Sequence, residues 1–367
     1  MKAKEVFNTM TPYTPGKQIE DVKKAYGLTN IVKLASNENP FGYSEKVQTA
    51  IPKMLEHLEI YPDGYATKIR EELANRLNVE KNQLIFGCGS DEVVDIICRT
   101  YLDQSSETIM AVPTFPQYKH NSLIQGASIK EVPLINGYHD IKGMLEAISS
   151  KTKIAWLCSP NNPTGALIPK QELLMFLKEC PKDILVVLDE AYYEYISDEN
   201  NPQSISLLQK YPNLIVLRTF SKAYGLANLR IGYGVASIEI ANTLNIARGP
   251  FNTTSIAQEA ATIVLQDEDF LANTLDENSK NKKAFCDFLE EVGLTAYDSE
   301  ANFIFVKLPT TGDQLCEYLL ERGFIIRSGE ALGHPNGVRI TIGAKEHMEE
   351  LSQLIKGFLE EVKEENK

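Results

Sequence analysis

The sequence predicts a doubly wound α/β fold: a large, mostly parallel sheet with helices on both faces, followed by a smaller α/β unit. Apolar runs of strand length, such as ILVVL (184–188) and LIVLR (214–218), alternate with stretches of helical period. Uninterrupted apolar strands belong to sheets buried on both faces, and their alternation with helices favours parallel pairing. The pattern then restarts, with ANFIFVKL (301–308) and GVRITIG (337–343) on either side of DQLCEYLLERG (313–323). A chain of 367 residues is long enough for one large core and a smaller one.

The first helix is KQIEDVKKAY (17–26), which sets Ile19, Val22 and Tyr26 on one face and stops before Gly27. It has no place in the large sheet, so residues 1–29 are expected to form an arm and helix packed on the smaller unit. A strand and turn follow in IVKLASNENPFG (31–42). From there the expected order is helix 66–77, strand QLIFG (83–87), helix 90–102, strand TIMAV (108–112), strand KIAWL (153–157) and helix 170–180. The strands ILVVL, LIVLR and IGYGVA (231–236) complete a large unit placed at 30–270. One long helix over 269–293 leads into the small unit, 271–367, which closes with a helix from about 345.

Composition narrows the function. The net charge of −13 and the absence of any lysine–arginine cluster argue against nucleic acid. Six cysteines lie far apart with no C-x-x-C pair, which suggests neither a zinc site nor a disulfide framework but reduced thiols in cytoplasm. The longest aliphatic run is five residues, so no membrane segment is expected. The five histidines fall in no motif; no catalytic or metal role is expected of them, and most should face solvent.

In open α/β sheets, ligands bind at the carboxyl ends of the strands. Gly87–Asp91, Thr114 and Phe115, Asn161 and Asn162, Asp189, and Ser221 and Lys222 all fall there. GCGSDE (87–92) opens a helix and suits phosphate, although alone such a strand–Gly–Ser–helix junction is usually only a capped turn. Asp189, directly after ILVVL, should be at least half buried and so call for a cationic partner. Lys222 alone reads as a solvated lysine, yet beside Arg230 at a sheet mouth its pKa should fall, making the free amine a nucleophile.

SPNNPTG (159–165), DEAYYEY (189–195) and SKAYGLANLR (221–230) occur in that order, each after a strand. Together they resemble the aminotransferase branch of the pyridoxal-phosphate enzymes with the aspartate-aminotransferase-like fold, over nearly the whole chain. The resemblance implies pyridoxal 5′-phosphate as cofactor, with Lys222 bonding its aldehyde and moving the proton, and Asp189 on the ring nitrogen. It implies Asn162 and Tyr192 on the phenolic oxygen, and Phe115 stacked on the ring. The cofactor phosphate would meet Gly89, Ser90, Asp91, Thr219, Ser221 and Arg230.

Finer segments, LASNENPFG (34–42), IYPDGY (60–65), RGPFN (248–252), IIRSG (325–329) and GVRITIG, are similar to those of histidinol-phosphate aminotransferases. That likeness implies exchange of an amino group between L-histidinol phosphate and 2-oxoglutarate, a histidine-biosynthetic step. Arg339 and Arg327 would bind the substrate anions, Tyr13 would line the pocket, and Asn162 would touch substrate as well. Tyr61 would reach across a homodimer interface to the other subunit's cofactor phosphate. Rival readings are an aromatic amino acid aminotransferase, a phosphothreonine decarboxylase, and a regulator's cofactor-binding module, the last needing a basic DNA-binding segment. Asn228 departs from the pattern, standing where a glycine is common, and leaves the backbone before Arg230 in question.

Overall fold

The structure, a computed structural model, describes residues 1–12, 16–197 and 199–365. Seven strands form the large sheet: β1 (Leu84–Gly87), β2 (Glu107–Val112), β3 (Ser128–Pro133), β4 (Thr152–Cys158), β5 (Leu185–Asp189), β6 (Leu214–Thr219) and β7 (Gly232–Ala236), in the order β1-β7-β6-β5-β4-β2-β3. β3, β2, β4, β5 and β6 pair in parallel, while β7 runs antiparallel to both β6 and β1.

Neighbouring residues of each central strand enter different cores. Phe86, Leu157, Leu188 and Val216 pack with Ile69, Leu73 and Phe176 on one face. Ile85, Trp156, Val187 and Ile215 pack with Val93, Ile97 and Leu244 on the other. Side chains alternate across a strand, so a sheet covered on both faces needs apolar residues at every position. That is why these strands are legible as unbroken runs.

β3 gives no such signal. Its residues SIKEVP are largely exposed or half-buried at the sheet edge, where no second apolar face is required. The sequence pattern likewise does not single out helices Glu45–Met54, Pro116–Gln125, Ile238–Ala247 and Ser255–Leu265. In Ser255–Leu265 small apolar residues fall on most sides, which blurs the helical period.

The long helix is Glu268–Glu291, and beyond it lies a second sheet: β8 (Thr295–Ala296), β9 (Phe303–Lys307), β10 (Arg327–Ser328) and β11 (Gly337–Thr341), in the order β10-β11-β9-β8, all antiparallel. Ile304, Val306, Val338 and Ile340 pack there against Leu315, Leu319, Leu351 and Ile355. The first helix, Ile19–Tyr26, sets Val22 against Ala35, Leu320 and Ile325, and Val32–Lys33 pairs in parallel with Phe324–Ile325. No helix among the described residues is long and apolar enough to cross a membrane.

Candidate active site

A cavity of about 990 Å³ lies at the carboxyl ends of the large sheet's strands and is closed in part by Arg327 and Arg339 of the second sheet. Ser90, Asp91, Phe115, Asn162, Asp189, Tyr192, Thr219, Ser221, Lys222 and Arg230 all line it. Parallel register explains the convergence: Cys158, Asp189 and Leu217 stand in one row across β4, β5 and β6, so the loops that follow leave the sheet at one level.

Asp189 is buried, and each of its oxygens has a donor: Tyr118 Oη gives its proton to Oδ2 at 2.6 Å and the Ala191 amide reaches Oδ1 at 3.1 Å. Burial pushes its pKa up to about 6, against the pull of Tyr118, and the charges of Asp91 and Glu190 push the same way. Among the described residues no lysine or arginine forms an ion pair with it. The expected cationic partner is thus not a side chain seen here, and a cation entering the cavity is what this carboxylate suits.

Lys222 follows β6 and is half-buried, its Nζ donating to the Ser36 carbonyl at 3.0 Å. Its pKa is pushed down to about 8, as the sequence reading expected, but for a different leading reason. Burial comes first and Arg339 second, with Arg230 a smaller contribution. Near neutral pH a usable fraction of the amine is therefore unprotonated.

Tyr192 is buried and its hydroxyl accepts from Asn37 Nδ2 at 2.9 Å. Burial raises its pKa, so the phenol keeps its proton and can donate it into the cavity. Asn37 is itself fixed by Thr341 of β11, with the Asn37 amide on Thr341 Oγ1 at 3.0 Å and Thr341 Oγ1 on Asn37 Oδ1 at 3.1 Å. Asn162 accepts from Arg339 Nη1 at 2.6 Å through Oδ1, which leaves its amide hydrogens as donors. Asn161 holds the turn, bonding Thr114, Pro113 and Thr164.

The anion end is built around the Ser90–Tyr101 helix, whose N-terminal amides and dipole favour negative charge. Gly89 there has φ +77°, and a Cβ on it would fall 2.5 Å from Arg230 Nη2, so only glycine lets the guanidinium close over this turn. Arg230 donates to Ser221 Oγ at 3.3 Å and the Ala227 carbonyl at 3.1 Å, and Thr219 Oγ1 bonds Ser221 Oγ at 3.0 Å. Asp91 Oδ2 lies 3.6 Å from Arg230 Nη2. A carboxylate only accepts, so Asp91 can meet an anion through its backbone amide alone.

Arg327 and Arg339 stand directly opposite each other on β10 and β11. Like charges so placed disfavour the strand pair, and an anion between them relieves this. Arg339 is buried, with Nη2 on the Ala35 carbonyl at 2.6 Å.

Tyr61 lies outside the cavity, 79% exposed and stacked on Phe251 at 4.9 Å between centroids. Tyr13 falls outside the described residues. Asn228 is exposed in the short turn Ala227–Leu229, and the left-handed residue is Arg230, with φ +53°, so position 228 needs no glycine. The histidine expectation needs correction: only His57 and His347 are exposed, His120 lines the cavity, His334 bonds Tyr297 and His139 is buried. Tyr118 and Asn37 were not singled out from sequence. Tyr118's one signal is its place three residues after Phe115, at the start of the Pro116–Gln125 helix, where i and i+3 share a face.

The signature of the family described as aminotransferase class I and II matches residues 29–358. The chain is 52% identical to the histidinol-phosphate aminotransferase of Geobacillus sp. (strain WCH70) over 98% of this chain and 99% of that one. It is 48% identical to the histidinol-phosphate aminotransferase of Bacillus subtilis (strain 168), covering 98% and 100%. Among solved structures, histidinol-phosphate aminotransferase from Sinorhizobium meliloti in complex with pyridoxal-5′-phosphate superposes with a TM-score of 0.88 at 24% identity, over 97% of this chain and 98% of that one. The three strand-end motifs, the cavity they form and these likenesses agree, and the chain belongs to the class I and II aminotransferases, within their histidinol-phosphate aminotransferase family.

Proposed function

We propose that the protein binds pyridoxal 5′-phosphate and transfers the amino group of L-histidinol phosphate to 2-oxoglutarate, giving imidazole acetol phosphate and glutamate by a ping-pong route. The carrying observation is Asp189: a buried carboxylate facing the cavity, without a lysine or arginine ion pair among the described residues, fits a protonated ring nitrogen. Gly89 lets the Arg230 guanidinium close over the start of the Ser90 helix, and a guanidinium beside those free amides suits a phosphate. When bound, the cofactor supplies an aldehyde that takes up the amino nitrogen and a ring that withdraws electrons from the carbon beside it.

The side chains then divide the work. Lys222 Nζ, its pKa lowered to about 8, would hold the cofactor through its aldehyde and, once the substrate amine displaces it, would take and return the proton of the reacting carbon. Asp189 keeps the proton on the ring nitrogen, and Asn162 and Tyr192 donate to the phenolic oxygen. Phe115, which lines the cavity, would stack on the ring. Gly89, Ser90, Asp91 through its amide, Thr219, Ser221 and Arg230 hold the phosphate. Arg327 and Arg339 bind the phosphate of histidinol phosphate in one half-reaction and the carboxylate of glutamate in the other, where planar forks suit both anions. Asn162 would also contact substrate, and Tyr13 would bind the substrate phosphate.

A homodimer with sites at its interface belongs to the same proposal. Exposed Leu58, Ile60, Tyr61 and Tyr65 support it, since single-chain surfaces seldom show so many large apolar groups in one segment. A cytoplasmic location and a division into 1–29, 30–270 and 271–367 belong to the same proposal. The test is kcat/KM for histidinol phosphate, phenylalanine, tyrosine and phosphothreonine. Histidinol phosphate should exceed each of the others at least tenfold; preference for an aromatic amino acid refutes the substrate assignment, and release of CO2 refutes transamination.

A further inference from the structure

We infer that Tyr118 is a positioning residue for Asp189: its hydroxyl, by donating to Oδ2, keeps that carboxylate ionised and aimed at the cavity. The inference rests on the reading of Asp189 above and adds a residue that none of the strand-end motifs contains.

Tyr118 is fully buried in the Pro116–Gln125 helix, and its ring cannot wander. It stacks on Trp156 with centroids 4.7 Å apart and planes 10° from parallel, and meets the cavity-lining Phe115 edge-on at 5.4 Å. Trp156 is fixed in turn by its indole N–H on Thr108 Oγ1 at 2.7 Å, and Thr108 by the Ile154 carbonyl at 3.0 Å. A phenol has one proton to give. Here it goes to Asp189 over 2.6 Å, the short distance of a charge-assisted bond.

The setting makes that proton consequential. Asp91, Glu190, Cys158 and Tyr192 interact with Asp189 and each is an acid, while the lysines and arginines that line the same cavity are Lys119, Lys222, Arg230, Arg327 and Arg339. Burial and the charges of Asp91 and Glu190 favour the neutral carboxyl; Tyr118 and the Ala191 amide bond it directly and oppose them, with Tyr118 the stronger. A neutral carboxyl could not hold a proton on a ring nitrogen. Phenylalanine at 118 would keep the stack on Trp156 and remove the hydroxyl alone.

The experiment is a carbon NMR titration of the cofactor-free enzyme carrying carboxyl-labelled aspartate, with the Asp189 signal identified by its loss in Asp189→Asn. In Tyr118→Phe the Asp189 pKa should rise by about one pH unit, the worth of a lost charged hydrogen bond. An unchanged value overturns the proposal. Placing 3-fluorotyrosine at 118, a stronger donor, should move the pKa the other way, and this variant serves if Tyr118→Phe does not fold; no shift there also overturns it. With cofactor bound, the acid limb of kcat/KM should move to higher pH in Tyr118→Phe. A titration that shifts in an enzyme that fails to take up pyridoxal 5′-phosphate would refute the cofactor reading and leave the Tyr118–Asp189 coupling standing.

Discussion

Arg230 and Arg339 line one cavity but are held in opposite ways. Arg230 follows the large sheet, its side chain 42% exposed, its charge offset by Asp91 at 3.6 Å and surrounded by hydroxyl and amide donors. Arg339 is buried in the second sheet, locked onto the Asn162 side chain and the Ala35 carbonyl, with Arg327 directly across the strand pair. One arrangement suits an anion that stays through every turnover, with neutral donors and one moderated charge. The other concentrates positive charge and suits anions that come and go, because relief of like-charge repulsion accompanies each binding event.

Several variants would break or sharpen this contrast. Lys222→Ala, between the two regions, should lower turnover by about ten-thousand-fold or more, the scale set by removing both covalent and general-base roles, and rapid-quench assays with saturating cofactor would measure it. Arg339→Lys should raise KM for histidinol phosphate and for glutamate alike by about 10- to 100-fold, as a fork becomes a point charge. Arg230→Ala should weaken cofactor binding by about tenfold in fluorescence titration while leaving the preference among substrates unchanged; a changed preference would erase the distinction between the regions. Arg327→Ala should weaken histidinol phosphate more than phenylalanine, by about tenfold in the ratio of kcat/KM, and equal loss for both would contradict its assignment.

The smallest effect concerns stability. Asp189 has a folded pKa of about 6 against an ordinary 3.8, so the folded state holds its proton more tightly and stability falls as pH rises through that window. Above pH 6 the cost is fully present. Asp189→Asn should therefore stabilise the cofactor-free protein by about 2 kcal/mol at pH 8 and not at pH 3.5, seen as a rise in Tm at the higher pH only, while it weakens cofactor binding.

Much of this was legible in the sequence because a two-sided sheet writes itself in unbroken apolar runs, and the loops after those runs must hold the site. Asp189, Asn162 and Lys222 were visible as polar residues breaking an apolar pattern. Tyr118 and Asn37 were not, since each acts through a neighbour brought near only by tertiary packing: Tyr118 from a helix after β2, Asn37 from a turn tied to β11. Strand direction escaped as well, because β7 is as apolar as its parallel neighbours. The doubt over Asn228 arose from reading a small residue as a backbone requirement, when the left-handed turn falls two positions later, at Arg230.

Reduction with borohydride after incubation with pyridoxal 5′-phosphate, followed by peptide mass mapping, tests the chemistry at its centre. The cofactor should be found on the peptide containing Lys222 and nowhere else, with one label per chain. A label on another lysine, or none, would contradict the assignment of the cavity.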